Sequence, residues 1–148
     1  MVERFEKFSL AISEISRCWH KIATEEMEKC GLKGIHSIYL TTMLRYPEGI
    51  TAAMLCELCG RDKAEVSRTL AAMEKMELIH KTGSTYRARL LLTEQGQQAA
   101  EFVRQRAAIA VEIAGAELSD QQRTAFYQSL ESIANNLQTL SQQGLPNP

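Results

Sequence analysis

ITAAMLCELCGRDKAEVSRTLAAMEKMELIHK, residues 50–81, is the stretch on which the reading of the chain turns. Thr51 suits an N-cap, because its hydroxyl can accept from an orphan backbone N–H of the first helical turn. Ile50 and Leu55 stand at the N′ and N4 positions of a hydrophobic staple. Gly60 suits the left-handed residue that a tight helix exit needs, so this helix is short, about two turns. After only Gly60 and Arg61 a new helix opens at Asp62, with Glu65 three residues on in a capping-box arrangement. Val66, Leu70 and Met73 form its buried stripe, and it ends near Glu77. Two short helices around a tight glycine-containing turn make a helix-turn-helix pattern.

Downstream, Ile79-His80-Lys81-Thr82, a Gly83-Ser84 tip and Tyr86–Leu92 read as a β-hairpin. Ala88, Leu90 and Leu92 alternate with Arg87, Arg89 and Leu91, one buried and one mainly exposed face. Thr93 caps a fifth helix, apolar at Phe102, Val103, Ile109, Ala110 and Ile113. Ser119–Gln122 is a capping box for a sixth, whose Phe126, Leu130, Ile133, Leu137 and Leu140 make a coiled-coil-like seam. Gly144–Pro148 is a terminal stop. Upstream, Phe5, Phe8, Ile12, Ile15, Trp19 and Ile22 form one apolar stripe on a helix of roughly seven turns, interrupted at Gly31 and Gly34. Ile35, Ile38, Tyr39, Thr42 and Met43 repeat at helical spacing in a second helix, stopped by Tyr46–Gly49. The order is α-α-α-α-β-β-α-α: mainly α, with a small β-hairpin wing.

A chain of 148 residues with 45% hydrophobic composition can build a real core. Its longest apolar runs are too short to span a bilayer, and the acidic start without an apolar stretch is no signal peptide, so a cytoplasmic location is expected. The net charge of −1 argues against a generic polyanion binder. The charge is uneven, however: residues 61–89 hold seven basic and four acidic groups, a segment of +3 on a body of −4. Phosphate responds to the local patch, so this distribution suits DNA.

The second helix of the pair can be read directly. With Val66, Leu70 and Met73 inward, the opposite face holds Ala64, Arg68, Ala71 and Lys75, with Ser67 alongside and Lys63 at the start. Two alanines keep that face slim enough for a major groove about 12 Å wide, while Arg68 and Ser67 can reach base edges or phosphates. The same face could be an ordinary solvated one. The tight turn before it and the basic hairpin after it favour DNA contact. On the hairpin, Arg87 and Arg89 point to one side of a strand and, with Lys81, suit phosphate or minor-groove contact, although exposed hairpins also carry such charges for solubility.

Several pieces resemble the MarR family of winged helix-turn-helix regulators: the Asp62-Lys63 start, Val66-Ser67-Arg68, Met73-Glu74-Lys75, Leu78-Ile79, and Leu92-Thr93-Glu94-x-Gly96. The match covers about residues 50–96, and the flanking helices agree in number and order. The resemblance implies a winged lobe over 32–93, flanked by dimerisation helices over 1–31 and 94–142, in one chain of 1–148. It implies a homodimer interlocked through the first, fifth and sixth helices, acting on double-stranded DNA and often answering to a small effector. Two departures stand out. The family usually has Gly where this chain has Glu77, so the exit of the recognition helix is expected to be made differently. The family wing usually carries an Asp-x-Arg tip, whereas Ser84-Thr85-Tyr86-Arg87 supplies arginine without aspartate.

Family members often hold an aromatic acid between the dimer helices and the DNA-binding lobe; Trp19, His20, His36 and Tyr39 could line such a cleft or simply pack. Cys56-x-x-Cys59 lacks a second pair or a histidine at zinc spacing, so buried apolar thiols are expected and no metal site. Cys18 and Cys30 are similar in kind to the sensing thiol of peroxide-responsive members. No glycine-rich phosphate loop, G-x-S-x-G or H-E-x-x-H occurs, so neither an enzyme nor a cofactor is expected. The expectation is a DNA-binding transcription regulator, a repressor released by an effector. A thiol-based redox regulator and a winged-helix interaction module without DNA binding are the alternatives.

Overall fold

The computed structural model describes residues 2–83 and 87–145, so the hairpin tip from Ser84 to Tyr86 and the last three residues lie outside it. The chain divides into two compact units, Met1–Ala108 and Ile109–Pro148. The elements are α1 (Val2–Glu28), α2 (His36–Leu44), α3 (Ala52–Cys59), α4 (Lys63–Lys75), β1 (Ile79–Thr82), β2 (Arg89–Leu92), α5 (Glu94–Ala114) and α6 (Asp120–Gln143).

Local signals set the helix-turn-helix. Thr51 Oγ1 accepts from Met54 N at 3.3 Å, and Gly60 closes α3 in the left-handed region at φ 60°. Asp62 Oδ1 then accepts from Glu65 N at 2.8 Å, so two residues turn the chain from α3 into α4. Such caps stabilise by about 1 kcal/mol each. The capping box expected at Asp62–Glu65 is only half made. The Glu65 carboxylate sits 3.4 Å from the Arg61 guanidinium, a cation that competes with the Asp62 backbone N–H for it.

The exit of α4 also differs from expectation. Helical geometry ends at Lys75, and Glu77 takes a left-handed φ of 58°, the conformation glycine would adopt without strain. Leu78 N donates to Met73 O and Glu77 N to Glu74 O, each at 3.0 Å, which is a Schellman closure. The next helix clamps it. Thr93 Oγ1 donates to Glu77 O at 2.6 Å, Thr93 N donates to Leu78 O at 3.0 Å, and Gly96 N donates to Thr93 Oγ1 at 3.0 Å. A Cβ on Gly96 would lie 1.9 Å from the Leu78 carbonyl oxygen, so this crossing is open to glycine alone. Tertiary hydrogen bonds therefore hold a glutamate in the shape expected to be lost.

The wing is an antiparallel pair with Ile79 opposite Leu92 and Thr82 opposite Arg89. Its second strand begins at Arg89, shorter than the Tyr86–Leu92 expectation, with Arg87 and Ala88 leading into it. An unanticipated third partner joins: Ile50 and Leu90 exchange two backbone hydrogen bonds, of 3.0 and 2.8 Å. Behind the wing lies the core of the first unit. Tyr39, Leu40 and Met43 of α2, Ile50, Leu55 of α3, Val66, Leu70 and Met73 of α4, Leu78, Ile79 and Leu90 are buried together with Met27, Ala100 and Val103. Glu26 of α1 ties to α5 through Arg106 Nε at 2.6 Å, with Lys29 a second partner, and these cations lower its carboxyl to about 2.

In the second unit the Ser119–Gln122 capping box is complete, with both reciprocal bonds present. Arg123 of α6 donates to Glu112 Oε2 at 2.7 Å and to the Gly115 carbonyl at 3.0 Å, pinning the α5–α6 turn. No residue of α6 is buried.

Candidate nucleic-acid interface

The α4 helix divides cleanly by burial. Val66, Leu70 and Met73 are enclosed, together with Thr69, while Lys63, Ala64, Ser67, Arg68, Ala71 and Lys75 are exposed. Thr69 is the inward residue that the apolar stripe leaves out, although its 3–4 spacing from Val66 and Met73 puts it on the same face. The exposed face is small at Ala64, Ser67 and Ala71 and long only at the cations. That profile can approach a groove floor while the long side chains reach sideways.

Ion pairing sorts the cations of this lobe. Arg61 is occupied by Glu65, and Lys81 of β1 by Glu74 of α4 at 3.1 Å. Lys63, Arg68 and Lys75 have no carboxylate partner among the described residues. These three are exposed, so a phosphate or base edge meeting them would displace no internal carboxylate. Arg89 is exposed as well, but its Nη1 donates to the Glu48 carbonyl at 3.1 Å. Arg87 is exposed on the wing and has no ion pair among the described residues. Sequence separation hid the second tether: Glu48 is 41 residues from Arg89.

Between α3, α4 and the wing lies a concavity of about 800 Å³, with Val66, Leu70 and Leu90 on its floor and Lys63, Ser67 and Lys81 at its edge. Cys56, half-buried, also borders it. Cys59 is buried, with Sγ 3.7 Å from Thr42 Oγ1 of α2, which makes it a core thiol. All four cysteines are free thiols, and no group of metal-ligating side chains gathers among the described residues.

The four aromatic and histidine candidates fall into two settings. Trp19 and His20 project from exposed stretches of α1, and His20 Nδ1 sits 2.7 Å from Ser16 O. His36 and Tyr39 are core residues of α2. His36 Nδ1 accepts from Lys33 N at 3.2 Å, and burial, reinforced by Lys33, pushes its pKa down, so it is a neutral ring protonated on Nε2. Tyr39 is fully enclosed, and burial raises its pKa against a smaller opposing effect of the buried Thr69 side chain. None of the four borders the concavity beside α4.

Residues 31–90 match the sequence profile of the MarR family. No curated protein sequence matches the chain. Among solved structures, a MarR family protein from Listeria monocytogenes complexed with a 26-mer DNA superposes with a TM-score of 0.81 at 21% identity, over 93% of this chain and 95% of that one. A MarR transcriptional regulator from Methanosarcina mazei gives 0.82 at 22% identity, over 91% and 92%. The MepR–DNA complex of S. aureus gives 0.79 at 19% identity, over 88% and 97%. At such identities the likeness is one of fold, and it runs through nearly the whole of each chain.

Proposed function

We propose that this chain is a transcription regulator of the MarR family, whose profile matches residues 31–90, and that it binds double-stranded DNA sequence-specifically through α4 and the wing. The observation that carries the reading is the exposed α4 face. Three cations without carboxylate partners among the described residues, Lys63, Arg68 and Lys75, stand among small residues at Ala64, Ser67 and Ala71 on a helix whose other side is sealed. Arg68 and Ser67 read base edges, while Lys63 and Lys75 neutralise phosphate. The wing adds Arg87 toward the backbone or the minor groove.

The chain works as a homodimer. Phe5, Ile12 and Ile15 of α1 and Phe126, Leu130, Ile133, Leu137 and Leu140 of α6 are all exposed, and continuous apolar faces of this extent mark an interface. In this reading residues 32–93 form the DNA-binding lobe, and 1–31 with 94–142 the dimerisation helices. Two lobes related by a two-fold axis read a pseudo-palindromic operator with half-sites about one helical turn apart. The protein represses, and a small effector that favours a lobe spacing unfit for DNA releases it. Among the described residues no helix is long and apolar enough to cross a membrane, and the reading places the protein with its DNA in the cytoplasm.

Fluorescence anisotropy at fixed salt, with a duplex from the DNA upstream of the chain's own coding sequence and a scrambled duplex of equal length, tests this. Binding at least about a thousandfold tighter to the native duplex is expected of a specific regulator. Equal affinity for both would contradict sequence-specific binding.

A further inference from the structure

Arg89 is exposed and basic, and on those grounds alone it passes for a phosphate ligand. Its surroundings give it another task. Arg89 opens β2 opposite Thr82, and the next residue, Leu90, exchanges two backbone hydrogen bonds with Ile50 just ahead of α3. At this edge the Arg89 guanidinium turns back and donates from Nη1 to the Glu48 carbonyl at 3.1 Å. The loop is shaped to receive it. Gly49 holds φ 93°, and a Cβ there would come within 3.0 Å of Arg89 Cβ and 3.3 Å of the Leu91 side chain. The stem of Arg89 therefore lies against bare backbone while its head caps the neighbouring carbonyl.

A two-stranded hairpin with strands of four residues is marginal by itself, so its direction is set where it is rooted. The root has two side-chain tethers on opposite strands. Lys81 of β1 reaches Glu74 near the end of α4, and Arg89 of β2 reaches the loop before α3. Between them they fix the angle of the wing to the recognition helix. We propose that Arg89 is a positioning residue, holding the wing against the loop that opens the helix-turn-helix and not itself contacting DNA. The consequence for DNA rests on the function proposed above; the tether itself does not.

Two readouts on Arg89→Ala and Gly49→Ala test this. The first is amide hydrogen exchange without DNA: both variants should speed exchange across residues 48–50 and 89–92 by about fivefold, the worth of one hydrogen bond, while Leu55 and Val66 stay protected. The second is affinity for the upstream duplex between 50 and 200 mM salt. Both variants should bind about fivefold more weakly with the wild-type salt slope, whereas Arg87→Ala should lower the slope by about 0.9 for each phosphate that Arg87 neutralises. A slope lowered by that amount in Arg89→Ala, or unchanged exchange at residues 48–50, would overturn the assignment. Faster exchange in a protein whose wild type binds no DNA would uphold the tether and remove the function proposed for the chain.

Discussion

The winged lobe and the α6 helix are built on opposite economies of apolar surface. In the lobe, α2, α3, α4 and the wing bury most of their apolar residues in one core, and among the described residues only Ile38, Met54 and Leu58 of the large ones stay exposed. In α6 the apolar residues are as regularly spaced, yet none is buried; Phe126 stays 46% exposed and Leu137 49%. Both carry sound local instructions for a helix, including N-caps at Thr51, Asp62 and Ser119. Capping and periodicity make a helix; only packing partners make a core. One region closes on itself and offers charge, while the other stays open and, in the function proposed above, offers its surface to a second copy.

The sharpest way to break this contrast is to charge the seam. Leu130→Asp combined with Leu137→Asp should leave hydrogen-exchange protection at Leu55 and Val66 intact while sedimentation at micromolar concentration shifts from dimer to monomer. Operator affinity should fall by a factor of about a hundred or more, because the second half-site then binds without the linkage of the first. An unchanged mass would show that α6 is not the interface.

Where α5 crosses the lobe, the largest effect belongs to Gly96. Gly96→Ala drives a methyl group into the Leu78 carbonyl, 1.9 Å from where its Cβ would sit, and should cost about 3 kcal/mol in urea denaturation. The opposite sign is expected close by. Glu77→Gly removes the strain of a left-handed glutamate and should raise stability by about 1 kcal/mol, provided the Thr93 clamp persists. Smaller still is a pH effect. Burial lowers the His36 pKa below its ordinary value of about 6.5, so near and below that pH the unfolded chain holds more protons than the folded one. Stability is full above about pH 6.5 and declines as the pH falls toward the folded-state value. Melting temperatures from pH 7.5 to 5 should show this decline, and His36→Asn should flatten it.

These residues also mark how far the sequence could be read. Most of what depends on neighbours within a turn was legible: the caps at Thr51, Asp62 and Ser119, the left-handed Gly60, and the inward stripe of Val66, Leu70 and Met73, though not the diversion of Glu65 to Arg61. Whatever depends on distant partners was not. Glu77 keeps the geometry of a glycine because Thr93, 16 residues on, holds its carbonyl. The Ile50–Leu90 pairing, the Arg89–Glu48 tether and the Lys81–Glu74 pair have no local signature, since each joins segments that meet only after the lobe has closed. The same blindness applies to the candidate interface. Periodicity found the exposed face of α4, but only the pairing pattern separated Lys63, Arg68 and Lys75 from the tethered Lys81 and Arg89.

Arg68→Ala tests the central claim most directly. The side chain lies opposite the core stripe of α4, so its removal should leave the melting temperature unchanged. A base or phosphate contact at this position is worth about 1–3 kcal/mol per half-site, so binding to the upstream duplex at fixed salt should weaken by about tenfold or more for each lobe engaged. Such a loss at constant melting temperature is the predicted result. Undiminished affinity in Arg68→Ala would mean that this face of α4 does not enter the groove.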